Sequence, residues 1–210
     1  MNTIIYDKTI IMNNSGYLAL YMGPMYSGKT SKLLELYKQY DFCNIKTLVI
    51  NYEKDTRYST DMLSTHDKKM IPCKKALKLS DIADILNETI LSSTTTDNKD
   101  FIDCDVILIN EGQFFEDIVE WVSIAIGPKY NKKIHICGLD GDFKRKKFGN
   151  WLNLIPLSDK VEKLTSFCSN CRKNPAIFSY RLSDETEQTV IGSSNYIPLC
   201  RNCYEIKIIT

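Results

Sequence analysis

Gly23-Pro24-Met25-Tyr26-Ser27-Gly28-Lys29-Thr30 fits G-x-x-x-x-G-K-[ST], the pattern of a phosphate-binding loop. Each constrained position has a physical task. Gly23 and Gly28 permit backbone geometry that a Cβ would obstruct, so amide N–H groups can converge on phosphate oxygens. Lys29 would reach the β- and γ-phosphates, and Thr30 would offer its hydroxyl to Mg²⁺. A helix beginning near Lys29 would set its positive end at the same anion. The plain alternative is a Gly-Pro turn ahead of a helix, and the flanks weigh against it. Gly16 to Met22 reads as a buried strand, and Ser31–Tyr40 reads as a helix with Leu33, Leu34, Leu36 and Tyr37 inward. Strand, glycine loop and helix form the setting that such a loop requires.

Three further apolar runs extend the pattern: Lys46–Asn51, Asp105–Asn110 and Lys133–Gly138. Short and nearly continuous in apolar residues, they suit parallel strands buried on both faces. Helical patterns fall between them at Leu79–Leu91, with Ser80 or Asp81 as N-cap, and at Phe114–Ile126, with Ile118, Val119, Val122 and Ile126 on one side. Gly127-Pro128 would stop the latter. The alternation predicts an α/β fold, a P-loop (RecA-like) parallel sheet flanked by helices. Ser92 to Asp100 reads as a polar loop, and Asp140–Leu157, with Gly141, Gly149 and four consecutive basic residues, as an irregular functional segment. Composition shifts after about residue 165. The expected organisation is a leader at 1–15, an ATP-binding α/β domain at 16–165 and a small cysteine-bearing module at 166–210, whose strand-like pieces are Ala176–Leu182 and Gln188–Gly192.

With 43% hydrophobic and 25% charged residues, the 210-residue chain has the composition of an ordinary globular protein. Lys and Arg number 27 against 26 Asp and Glu, a balance that speaks against a bulk nucleic-acid binder but not against a nucleotide substrate. No apolar run of membrane-spanning length and no secretory signal pattern is seen, so no membrane partner and a reducing cytoplasmic setting are expected. Cys104 and Cys137, at or in apolar runs, read as buried reduced thiols.

Two sites of chemistry stand out beyond the loop. The run Val106-Ile107-Leu108-Ile109 ends in Asn110-Glu111, and a carboxylate at the carboxyl end of a central strand faces the crevice where ligands bind in open α/β sheets. Glu111 could accept a proton from an attacking hydroxyl; alone, it would read as a solvated strand-end glutamate. Cys168-Ser169-Asn170-Cys171 and Cys200-Arg201-Asn202-Cys203 form paired CxxC knuckles, which suit a closed tetrahedral Cys₄ structural Zn²⁺ site. Redox pairs or disulfides are the alternatives, disfavoured because no βαβ thioredoxin setting surrounds them.

Taken in order, GPMYSGKT at 23–30, YEKDTRYS at 52–59, THD at 65–67, EGQFF at 111–115, LDGDFKRKKFG at 139–149, CSNC and CRNC resemble the type II thymidine kinases, from about Gly16 to Tyr204. The resemblance implies transfer of the ATP γ-phosphoryl group to the 5′-hydroxyl of thymidine with Mg²⁺, in the salvage of DNA precursors. It implies that Gly23, Pro24, Met25, Tyr26, Ser27, Gly28, Lys29 and Thr30 hold the phosphates and that Glu111 is the general base. Asp55 and Arg57 match positions near Mg²⁺ and the phosphates, with Arg57 stabilising charge on the transferred group. Met25, Phe114, Leu139, Phe143 and Phe148 match the thymine pocket; plain core packing is the bland account of such residues. The stretch between the cysteine pairs resembles a substrate-covering lasso anchored by zinc, with Gln188, Thr189, Val190, Ile191 and Gly192 along the base and Tyr196 near the sugar. A homo-oligomer, commonly a tetramer, is implied as well. Two departures stand out. Asn110 takes the place of the usual Mg²⁺-associated Asp, leaving Glu111 and Asp55 as its acidic groups, and the spacing before Tyr196 differs from the common one. A GTP switch is disfavoured by the lack of an N-K-x-D string, and a zinc-ribbon nucleic-acid module by the neutral charge and the shortness of the basic run Lys144–Lys147.

Overall fold

The computed structural model describes residues 15–55, 62–65, 69–86, 96–189 and 195–209. All but the last residue of the expected leader lies outside them. Six parallel strands form the central sheet: β1 (Tyr17–Met22), β2 (Thr47–Tyr52), β5 (Lys74–Ala76), β6 (Val106–Ile109), β7 (Lys133–Gly138) and β8 (Lys160–Lys163), in the order β5-β2-β6-β7-β1-β8. β1 and β7 pair in register from Tyr17 opposite Lys133 to Met22 opposite Gly138. Two short strands, β3 (Met62–Ser64) and β4 (Met70–Pro72), make a separate antiparallel pair.

Alternation along the strands divides the core. Leu18, Leu20, Ile107, Ile109, Ile134 and Ile136 face one side, where Phe101 of α2 (Thr96–Asp103), Trp121 and Val122 of α3 (Ile118–Ala125) and Trp151 cover them. Ala19, Tyr21, Val49, Val106, Leu108 and Cys137 face the other, against Leu33, Leu34 and Leu36 of α1 (Lys29–Phe42). Both faces are buried, as a parallel sheet demands. The expected fold class is therefore the observed one, with the four apolar runs as its inner strands.

The differences have local causes. Leu79–Asp81 is one 3₁₀ turn and 83–85 are irregular, so the helix expected over Leu79–Leu91 does not form across its described part; residues 87–91 lie outside the described residues. Asp117 takes over there, its carboxylate accepting from the Leu79 and Ser80 amides at 3.1 and 2.9 Å. The polar stretch read as a loop through Asp100 instead runs into α2, which buries Phe101 completely. Phe114–Ile126 splits into a 3₁₀ turn (Gly112–Phe114) and α3, whose buried residues include Trp121, outside the expected apolar stripe. The segment 140–157 contains the bridge between Gly141 and Lys147 and a 3₁₀ stretch, Trp151–Leu157.

Beyond the sheet, β9 (Ser166–Phe167) pairs with β10 (Pro175–Ala176), β11 (Phe178–Arg181) pairs with β12 (Tyr196–Leu199), and α4 (Arg201–Ile209) closes the chain. Gln188 and Thr189, expected in a strand, are irregular; Val190, Ile191 and Gly192 lie outside the described residues. A separate apolar cluster of Cys168, Ala176, Leu199, Cys200, Cys203 and Tyr204 forms the core of this part. Among the described residues no helix is long and apolar enough to cross a membrane.

Candidate active site

Parallel strands bring their carboxyl ends to one edge, and here that edge carries the loop after β1, Asp55 after β2, Glu111 after β6 and Leu139 after β7. A cavity of about 790 Å³ opens there. One end is the phosphate loop, where Met25, Tyr26, Ser27, Gly28, Lys29 and Thr30 line the wall. Gly23 and Pro24 shape the loop from behind. A Cβ on Gly23 would stand 2.4 Å from the Leu164 carbonyl oxygen, so only glycine lets the chain turn this close to that backbone. α1 begins at Lys29, so its N-terminal amides and the positive end of its dipole face the cavity. The Lys29 ammonium donates to the Pro24 carbonyl at 2.7 Å. Ser27 Oγ is buried with no hydrogen-bond partner in the protein, a polar atom whose desolvation an incoming phosphate oxygen would offset. The donor set thus fits a bound polyphosphate.

Glu111 lines the same cavity. Its backbone is left-handed, φ 57°, an uncommon conformation for a side-chain-bearing residue and one concentrated at functional sites. The buried Gln113 orients it: Nε2 donates to Glu111 Oε2 at 2.6 Å, while Gln113 Oε1 accepts from the Leu139 amide at 2.9 Å. Gly149 is required by this arrangement. With φ 67°, it lies so close to Gln113 that a Cβ would fall 2.2 Å from the Gln113 carbonyl oxygen. Asp55 lines the same cavity and accepts from Asn51 Nδ2 at 3.4 Å, and Asn51 Oδ1 accepts from Asn110 Nδ2 at 3.0 Å. Asn110, 3% exposed, therefore stands behind Asp55 and does not line the cavity. Arg57 lies outside the described residues.

The other end of the cavity is aromatic. Phe114, Leu139, Phe143 and Phe148 line it with Tyr52, whose ring stacks on Phe114 at 4.9 Å between centroids. Phe148 meets Phe114 edge-on at 5.4 Å. Gln188, Thr189 and Tyr196 close it from the cysteine-bearing part. Ser179 of β11 also lines it and accepts from the Met25 amide at 2.9 Å, tying the phosphate loop to β11.

Away from the cavity, the Sγ atoms of Cys168, Cys171, Cys200 and Cys203 lie within 4.8 Å of one another. Cys171 and Cys200 are 3.8 Å apart, far beyond a disulfide, and a tetrahedral Zn²⁺ with Zn–S bonds of about 2.3 Å would set its sulfurs about 3.8 Å apart. Four sulfurs in closed array fit a structural zinc ion.

Phosphate-loop residues, a carboxylate held by Gln113 and a group of aromatic side chains thus line one cavity. A model of the thymidine kinase family matches residues 16–204. The chain belongs to the thymidine kinase family. Thymidine kinase of vaccinia virus (strain Western Reserve) is 42% identical over 192 residues, 91% of this chain and 98% of that one. The thymidine kinases of monkeypox virus and variola virus are each 40% identical over the same shares. Among solved structures, domain III of the Thermotoga maritima replication initiation protein DnaA aligns at a TM-score of 0.41 and 12% identity, over 73% of this chain and 57% of that one. As a thymidine kinase, the enzyme phosphorylates thymidine.

The sequence reading overlooked Tyr52, Gln113, Ser179, Asn51 and Arg181. Gln113 had a signal in its place two residues after Glu111. Ser179 and Arg181 had one in their i, i+2 spacing on a strand whose alternate side chains are buried. Asn51 closes an apolar strand and carries no motif; Tyr52 opens the YEKDTRYS stretch, which by itself gives the ring no role.

Proposed function

We infer that the enzyme transfers the γ-phosphoryl group of ATP to the 5′-hydroxyl of thymidine in a Mg²⁺-dependent reaction of DNA-precursor salvage, in the cytoplasm. The observation that carries this reading is one cavity lined together by the phosphate loop, Glu111 and a group of aromatic side chains. ATP phosphates would lie along Gly23–Thr30, with the backbone amides and Lys29 as donors. Thr30, Asp55 and Glu111 are the residues that would hold Mg²⁺, whose chemistry is to neutralise charge on the phosphate oxygens. Thymine would enter among Met25, Phe114, Leu139, Phe143 and Phe148, and Tyr196 with the strap of 188–192 would cover the nucleoside. In this reading the 5′-hydroxyl lies toward Glu111, whose carboxylate, steadied by Gln113, takes its proton as the new phosphorus–oxygen bond forms and the bond to the departing ADP oxygen breaks. Arg57 is proposed to stabilise charge on the transferred group. Closure of the strap would exclude water and limit hydrolysis of ATP. Residues 166–210 act in this reading as a zinc-anchored lid on the domain spanning 16–165.

The test is conversion of radiolabelled thymidine to its monophosphate with ATP and Mg²⁺. Product that depends on both supports the reading. Hydrolysis of ATP with no labelled product would overturn it, and tight DNA binding without product would favour a nucleic-acid module.

A further inference from the structure

The segment 182–189 presents a physical puzzle. Every residue of 184–189 is exposed, yet Gln188 and Thr189 form part of the cavity wall. A chain that buries so little apolar surface has little of its own to offset the entropy of being held still. The backbone carbonyls supply the answer. Arg181, 4% exposed at the end of β11, donates from Nη1 to the carbonyls of Glu185 (2.8 Å) and Glu187 (2.6 Å) and from Nη2 to that of Gln188 (3.1 Å). Nε and Nη2 also donate to the Tyr196 hydroxyl, at 3.0 and 2.6 Å. These bonds use all five N–H donors of the guanidinium. Its flat face lies over the Phe143 ring, 3.7 Å from the centroid. Among the described residues no carboxylate pairs with it. Carbonyl dipoles, a phenol oxygen and a ring face balance the charge, together with the field of the exposed Glu185 carboxylate.

We propose that Arg181 is the positioning residue of the nucleoside site: it latches 185–188 over the cavity and fixes Phe143 and Tyr196 against it, so that three walls of the pocket depend on one side chain. Gln188 adds side-chain ties of its own, Nε2 donating to Asp142 Oδ2 at 2.9 Å and, at 3.5 Å, to the Lys147 carbonyl. The inference deepens the nucleoside-site reading above and rests on it for the identity of the ligand. Lysine keeps the charge but offers three donors on a flexible stem, with no planar fork and no flat face to lay on Phe143. Arg181→Lys therefore separates the latch from the charge.

The experiment pairs steady-state kinetics with deuterium exchange of the zinc-loaded full chain. In Arg181→Lys the thymidine KM should rise about tenfold or more, the loss expected of a binding contact, while the ATP KM changes far less. In the same protein, without nucleoside, amides of 182–189 should exchange faster while the central sheet and α4 keep their protection. An unchanged thymidine KM with unchanged strap exchange would overturn the proposal. So would loss of protection throughout the sheet with release of zinc, which would make Arg181 a packing residue. If wild type fails to phosphorylate thymidine, the substrate reading falls, and the exchange comparison still judges the latch.

Discussion

Glu111 sits at the junction of two unlike surfaces, and its task depends on its carboxylate staying where Gln113 holds it. Glu111→Gln keeps the shape and removes the proton acceptor. Turnover should fall about 10²–10⁴-fold, the range for loss of a positioned base, with nucleotide affinity nearly unchanged by equilibrium titration. Normal turnover would remove Glu111 from the mechanism. The neighbouring Asn110 invites a second substitution. Its amide hydrogen is given to Asn51, which gives its own to Asp55. An aspartate at 110 would demand a donor from Asn51, whose amide must then turn its carbonyl oxygen toward the Asp55 carboxylate. Asn110→Asp is therefore expected to bring no gain in Mg²⁺ affinity or rate, because the added charge unsettles the carboxylate already lining the cavity. A Mg²⁺ titration of activity decides this. A shift of the half-saturation point to about tenfold lower Mg²⁺, with a faster rate, would show that Asn110 compromises the site.

At the scale of elements, β7 carries a test of its own in His135. The ring is 2% exposed, enclosed by Tyr17, Tyr21 and Tyr40, and bonded to the Tyr40 hydroxyl through Nε2 at 2.8 Å. Burial above all, and then Lys160, Lys32 and Lys133, lower its pKa to about 3. In the unfolded chain it titrates at its ordinary value near 6.5, so the unfolded state takes up a proton that the folded state refuses. Stability from this group is whole above pH 6.5 and is lost as pH falls toward 3, by about 1.4 kcal/mol per pH unit over that window. Urea unfolding at a series of pH values should show a shallower acid decline in His135→Gln than in wild type, and equal slopes would mean that His135 is protonated in the fold. The same strand shows what the sequence could reveal. β7 and its inner neighbours are nearly continuous apolar runs, legible because burial on both faces leaves few polar positions, His135 being a buried exception. β5 and β8, Lys74–Ala76 and Lys160–Lys163, pair on one side only and carry the lysines that keep sheet edges from pairing further, so no apolar run marks them. α2 carries no apolar run because its first residues are polar; among its described side chains Phe101 is the one packed into the core. Within the site, motif residues were readable because their chemistry demands residue types at fixed spacing. Gln113, Asn51 and Arg181 each join a near partner in sequence to a distant one, Leu139, Asn110 and Tyr196 in turn, and only the fold supplies the distant half.

For the whole molecule, the question is how the cysteine-bearing part, with so small a core, stays in place against the cavity. The cluster around Cys168, Ala176, Leu199 and Tyr204 is too small to be stable alone, and small units of this kind depend on a metal or disulfide staple. The four sulfurs are arranged to be that staple with Zn²⁺ bound. From it, Tyr204 reaches the Phe143 carbonyl with its hydroxyl at 2.5 Å, and Arg145 lies over the Tyr204 ring while pairing with Glu205. The same two knuckles anchor β11 and β12, whose ends carry Arg181 and Tyr196. Loss of zinc should therefore reach the nucleoside pocket before it reaches the phosphate loop, which sits on the central sheet. Cys200→Ser is expected to release the metal, seen by elemental analysis, and to raise the thymidine KM at least several-fold, while ATP still protects the loop between β1 and α1 from proteolysis. Chelation of the wild type should reproduce the kinetic change, and added Zn²⁺ should reverse it. Metal content equal to wild type in Cys200→Ser would defeat the Cys₄ assignment; metal loss with an unaltered thymidine KM would leave the zinc in place as a fold element but detach it from the lid.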